Sequence, residues 1–159
     1  MFEIGNKVVY PMHGAGVIVG IERQEYLGRE CPYYVIHLLN NEMQVMIPVE
    51  KADDLGLRGV NGRERLQEVY GILKSCARDL PENWNHRYRA NMEKLKTGRI
   101  QEMAEVIKDL HLREQEKGLS TGEKKMLENA LEILISEISL SSNTDCADVR
   151  RNLFSCMQE

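Results

Sequence analysis

The sequence predicts an α+β protein in which a small antiparallel β domain is followed by a compact helical one. Two observations carry this. The apolar period changes near residue 55, from short alternating runs to repeats at i, i+3, i+4 and i+7. Turn residues punctuate the runs before that point, and helix caps and stops separate the repeats after it. At 159 residues, with 42% hydrophobic and 29% charged, the chain has the composition and length of one domain or two small ones. No apolar run approaches the ~20 residues of a membrane span. The opening MFEIGNKVVYPMHG lacks the basic-then-apolar pattern of a secretory signal, so a cytoplasmic protein is expected.

The first part holds strand candidates at 7–10, 15–22, 33–39 and 43–48, rich in β-branched and aromatic residues. Gly14-Ala15-Gly16, following Pro11, suits a tight turn. Asn40-Asn41 divides two apolar runs, and both residues tolerate positive φ, so a hairpin is expected there. Pro48 has no N–H to give a ladder and ends the last strand. Four or five strands in so short a stretch predict a strongly bent sheet or barrel.

After residue 55, helical spacing links Leu66, Val69, Tyr70 and Leu73, and then Met103, Val106, Ile107 and Leu110. A third set is Leu127, Ala130, Leu131 and Leu134, with Ile138 one turn further. Pro81 divides the first helix from the next, and Asn83 is the expected N-cap of a helix reaching about Lys96. Thr97-Gly98 and Lys117-Gly118 are stop signals, and Ser120-Thr121-Gly122-Glu123 reads as a capping box. Each of the four helices is too short to stand alone, so they share one core. The division is therefore a β domain over 1–55, a helical domain over 56–140 and a tail over 141–159. The tail opens with a polar run from Ser141 to Asp145 and ends in a marginal helix around Val149, Leu153 and Phe154. Gly56, Gly59 and Gly62 at the junction form either a hinge or a rigid turn.

The net charge of −4 argues against a uniformly basic nucleic-acid binder, but its distribution is uneven. Residues 1–55 carry −4, residues 56–99 carry +5 and residues 100–159 carry −5. A basic block between two acidic ones is where a polyanion docks.

Catalytic chemistry has no foothold here. The four cysteines (Cys31, Cys76, Cys146, Cys156) and four histidines (His13, His37, His86, His111) have no metal-ligand or redox spacing. Gly14 and Gly16 lack the Lys-Ser/Thr of a phosphate loop, and Asp53-Asp54 reads as a charged turn. No catalytic residue, metal, cofactor or small-molecule substrate is expected.

The informative stretch is PENWNHRYRANMEKLKTG, residues 81–98, which holds the only tryptophan. At 100° per residue Trp84, Tyr88, Met92 and Leu95 share a face, with Arg87 and Lys94 on one flank and Arg89 and Lys96 on the other. One reading is a core stripe beside a solvated charged face. The other is an aromatic wedge at a helix N-terminus, with cations gripping a phosphate backbone on both sides, suited to a junction of duplex and melted DNA. No base-reading helix is recognisable.

Over about residues 1–140 the chain resembles the CarD/CdnL family of bacterial RNA-polymerase-binding transcription regulators. The resemblance rests on VVYPMHGAGVI, then NWNHRYRANMEKLKTG, AEVIKDL and REQEKGLSTGEKKML. The first of these looks like the opening shared with the polymerase-interacting domain of transcription-repair coupling factors. The resemblance implies a Tudor-like β domain that docks on the polymerase β subunit and a helical domain that touches promoter DNA, largely without sequence preference. It implies that Trp84 wedges into the minor groove at the upstream edge of the bubble, with Arg87 and Arg89 contacting the backbone, and that the open complex is stabilised. His86 and Lys94 on the same helix are expected to add DNA contacts. His86 stands where relatives often carry another cation, so its contribution depends on pH. Polymerase contact is expected from Arg23, Gln24, Tyr26, Met43, Val45 and Met46. Gln24 and Met46 replace an arginine found in some relatives, and Tyr26, Met43 and Met46 also read as sheet packing. The protein is then cytoplasmic and nucleoid-associated. A non-catalytic adaptor whose helical module binds protein rather than DNA is the alternative.

Overall fold

A computed structural model of the chain describes residues 1–75 and 83–158, with the Tyr26 side chain excepted. An N-terminal antiparallel sheet is followed by a helical region, so the α+β expectation holds. Its strands are β1 (Lys7–Tyr10), β2 (Gly14–Tyr26), β3 (Arg29–Leu38), β4 (Gln44–Pro48) and β5 (Arg58–Gly59), in the order β4-β3-β2-β1-β5. The helices are α1 (Arg63–Lys74), α2 (Trp84–Lys96), α3 (Ile100–Glu116), α4 (Thr121–Ser142) and α5 (Cys146–Gln158). Pro81 and Cys76 lie outside the described residues.

Strand alternation sets the two faces of the sheet. Ile18, Tyr34, Ile36 and Ile47 point inward with Val8 and Leu38 to form its core. Register is exchanged at a bulge between Ile18 and Gly20, which leaves Val19 exposed. β2 and β3 run further than the apolar alternation suggests, because Leu27 and Gly28 both take positive φ and close a tight hairpin. Gly14 and Gly16 belong to β2 rather than to a turn. A Cβ at Gly16 would lie 2.2 Å from the His37 carbonyl oxygen, so only glycine lets β2 and β3 approach there. At the Asn40-Asn41 connection it is Glu42, not an asparagine, that adopts positive φ. The Asn41 side chain instead accepts from the Met43 amide.

Two of the three junction glycines, Gly56 and Gly59, are anchored. Gly59 pairs with Val8 in the ladder, making β5 the last strand of the sheet beyond the expected boundary at 55. Pro11 of the β1–β2 turn packs against Gly56 and Gly98, both at positive φ.

The helices share one core, built on Leu66, Val69, Leu73, Met103, Ile107, Leu110, Leu134 and Ile138. Residues 141–158 are not a tail. Ser141 and Ser142 complete α4, Asn143 ends it in the left-handed conformation, and α5 buries Val149, Leu153 and Met157 in the same core. α4 is buried on most sides because it packs against the sheet as well as α3 and α5.

Candidate nucleic-acid interface

Asn83 is the N-cap of α2, its side-chain oxygen accepting from the amides of Asn85 and His86. This places Trp84 in the first helical position, from which a helical side chain is directed back toward the N-terminal end. It is 43% exposed, yet it is held on three sides. Its ring stacks on Tyr88 with centroids 5.2 Å apart and planes 25° apart. Its Nε1–H donates to Ser120 Oγ at 2.8 Å, and Gly122 lies close to both rings, since a Cβ there would come within 3.6 Å of Tyr88 and 3.9 Å of Trp84.

Ser120 caps α4 in turn. Its Oγ accepts from the Glu123 amide at 3.2 Å while its own backbone amide donates to Glu123 Oε1 at 3.4 Å, which completes the capping box, and the Oγ also donates to Oε1 at 3.1 Å. Arg87 reaches the same carboxylate, with Nε 2.7 Å from Oε2 and Nη2 3.0 Å from Oε1. Burial opposes the Glu123 charge, but the bonds from Arg87 and Ser120 outweigh it and hold the carboxyl below its ordinary value.

The flank reading of Arg87 therefore needs correction. The side of α2 facing the bundle runs through Arg87, Asn91 and Leu95, all buried, while Trp84 is exposed and Tyr88 and Met92 are half-buried. A guanidinium goes inside here because a buried carboxylate awaits it with fork geometry. It therefore presents no charge to a ligand. Lys94 is half-buried and donates to Glu105 at 3.2 Å. Arg89 and His86 are exposed on α2, as is Lys125 on α4. Lys125 also edges a cleft of about 200 Å³ lined by Tyr88, Met92, Met103 and Met126, and by Met12 of the β1–β2 turn. Ser120, Glu123 and Lys125 were missed as site residues. The only sequence signal for Ser120 and Glu123 is the capping box, which marks a helix start but not what packs on it, and Lys125 lies outside it.

On the sheet, register sorts the expected polymerase-contacting residues. Gln24 and Met46 are exposed on the outer face, and Gln24 Nε2 lies 3.9 Å from Met46 Sδ. Met43 is exposed just before β4. Arg23 is exposed but alternates to the other face. Val45 turns inward against the sheet core, so its side chain serves packing rather than an outer contact. Among the described residues β4 pairs only with β3, leaving its other edge open.

No helix of the described residues is long and apolar enough to cross a membrane, and no group of three potential metal ligands occurs among them.

Residues 2–60 match the CarD-like/TRCF RID domain, and residues 68–154 match the CarD C-terminal domain. A curated relative, "Putative transcription factor YdeB" of Bacillus subtilis (strain 168), is 45% identical over 140 residues, covering 88% of this chain and 92% of its own. Among solved structures, CdnLNt from Myxococcus xanthus is 38% identical, covers 40% of this chain and 89% of its own, and aligns with a TM-score of 0.33. With both family domains matched in order, the chain belongs to the CarD/CdnL family and is a CarD-like transcription factor.

Proposed function

We propose that this transcription factor binds the β subunit of RNA polymerase through its sheet and promoter DNA through the Trp84 end of its helical region, stabilising the open complex. The observation that carries the reading is an exposed indole whose orientation is already fixed by Tyr88 and Ser120. A preset ring loses little freedom on stacking, so most of the ~1–3 kcal/mol of a base–aromatic contact is available for binding. Placed at the upstream edge of the bubble, it prefers the unstacked junction to closed duplex, and that preference shifts the equilibrium toward melting.

Arg89, His86 and Lys125 supply the backbone contacts, without base readout. Three such groups on an acidic protein make a weak DNA binder. Tethering to polymerase compensates by raising the local concentration at the promoter. The open edge of β4, with Met43, Met46 and Gln24 near it, suits strand addition, in which main-chain bonds give affinity and side chains give selectivity. The work is then done on nucleoid DNA in the cytoplasm, and it needs no catalytic residue or cofactor.

The Met-lined cleft beside Tyr88 favours a second reading, in which the helical region takes an apolar side chain of another protein. Charge reversal separates the two. Arg89→Glu with Lys125→Glu is expected to abolish promoter crosslinking while polymerase pulldown persists. Retained crosslinking with loss of a protein partner would favour the adaptor.

A further inference from the structure

Glu137 lies where α4 meets the sheet and takes no part in the site described above. Its carboxylate is completely buried, a position a charge holds only with partners. Those partners come from the segment joining the two regions. Arg58 donates from Nη1 to Oε2 at 2.8 Å and from Nη2 to Oε1 at 2.7 Å. Asn61 donates twice to Oε2, from its backbone amide at 2.8 Å and from Nδ2 at 3.0 Å. Arg58 Nε points elsewhere, to the Gly98 carbonyl at 2.8 Å, so one guanidinium joins β5, the α2–α3 turn and α4.

The neighbouring contacts are equally directional. Ser136 Oγ accepts from the Ala15 amide at 3.0 Å, and Lys7 Nζ donates to the Leu140 carbonyl at 2.7 Å and to Asn143 Oδ1 at 3.1 Å. Lys7 thereby meets the C-terminal end of α4, where carbonyls lack partners and the helix dipole favours a cation. α4 has 22 residues, or roughly 33 Å at 1.5 Å each. Its first turn holds Trp84 and its last two turns hold the sheet.

We propose that Glu137 is a positioning residue: it locks α4 to the sheet, so the Trp84 edge is presented at a fixed distance and angle from the face that docks on polymerase. This rests on the function proposed above. The lock gives it a geometric consequence, because binding through the sheet then delivers the indole to one place on the DNA instead of a swept volume. Hydrogen bonds in a fork fix angle as well as distance, which apolar packing alone does not.

The test uses the full chain with Glu137→Gln, which keeps the shape but turns an amide NH₂ toward Arg58 or Asn61. NMR residual dipolar couplings report whether sheet and helices share one alignment tensor, and heparin-challenged open complexes report function. A single tensor is expected for the wild type and two for the variant, with polymerase pulldown retained and the gain in open-complex lifetime reduced at least threefold. A single tensor in the variant, or two tensors with the full gain, overturns the proposal. If Glu137→Gln does not fold, Arg58→Lys, which keeps the charge but not the fork, is read in the same two ways. Should the wild type give no lifetime gain, the proposed function fails. The tensor arm still decides the lock on its own.

Discussion

At each end of α4 a buried glutamate receives an arginine from another element, yet the two pairs do different things. Arg87–Glu123 is almost dry, with side chains 3% and 1% exposed, and Arg58–Glu137 is wetter on the arginine side, 25% and 0%. The first is local. It joins α2 to the capping box that also holds the Trp84 indole, so it sets the posture of one side chain. The second spans the junction of sheet and helices, so it sets the posture of half the molecule. One chemistry, placed at opposite ends of a rod, serves aim at one end and alignment at the other.

The largest effect that separates them is on stability. Removing one partner of a buried pair strands a charge and costs ~3–5 kcal/mol, so Arg87→Ala should lose about that much in urea unfolding. Each carboxylate keeps other donors, from Ser120 or Asn61. Arg58→Ala should nevertheless cost less, because the Arg58 side chain is 25% exposed and water reaches the vacated side, whereas Arg87 leaves a dry one. Equal losses would break the comparison. Acid sharpens it. The folded Glu123 carboxyl sits below its ordinary value of 4.5, so its contribution is full above that value and disappears as pH falls through the lowered one. Wild type should therefore lose stability on acidification below about pH 4.5, and Glu123→Gln should have lost that part of the slope, as read in unfolding midpoints against pH.

A smaller effect is expected at Ser120. Ser120→Ala removes a cap worth ~1 kcal/mol and leaves the indole N–H to water, so the fluorescence of the only tryptophan should become more mobile in anisotropy. Unchanged anisotropy would mean that Tyr88 alone fixes the ring. The smallest effect belongs to exposed pairs such as Arg29–Glu50, 69% and 47% exposed, where Arg29→Ala should cost under ~1 kcal/mol in thermal unfolding.

These contrasts also mark how far the sequence could be read. Helical period and the caps at Asn83 and Ser120 located α1 to α4, since both signals are local. β5 escaped because two residues, Arg58 and Gly59, carry no apolar alternation and become a strand only by pairing with β1. α5 was underrated because the polar run at 141–145 looks like a linker, although Val149, Leu153 and Met157 repeat every four residues beyond it. In the candidate site Trp84 was legible as an aromatic at a helix start. The side of α2 that faces the core was not, because Arg87 is buried by a carboxylate 36 positions away and period alone assigns a cation to the surface. Val45 shows the converse, an apolar residue whose inward turn follows from strand register.

The central claim is that the exposed, prealigned Trp84 ring stabilises melted promoter DNA. It is tested most directly by the decay of heparin-challenged open complexes on a weak promoter, with the matching bacterial polymerase and either wild type or Trp84→Ala. Wild type should slow the decay about tenfold over Trp84→Ala, within the ~1–3 kcal/mol of one stacking contact, while both bind polymerase equally. Equal decay with a folded, polymerase-bound variant would contradict the claim.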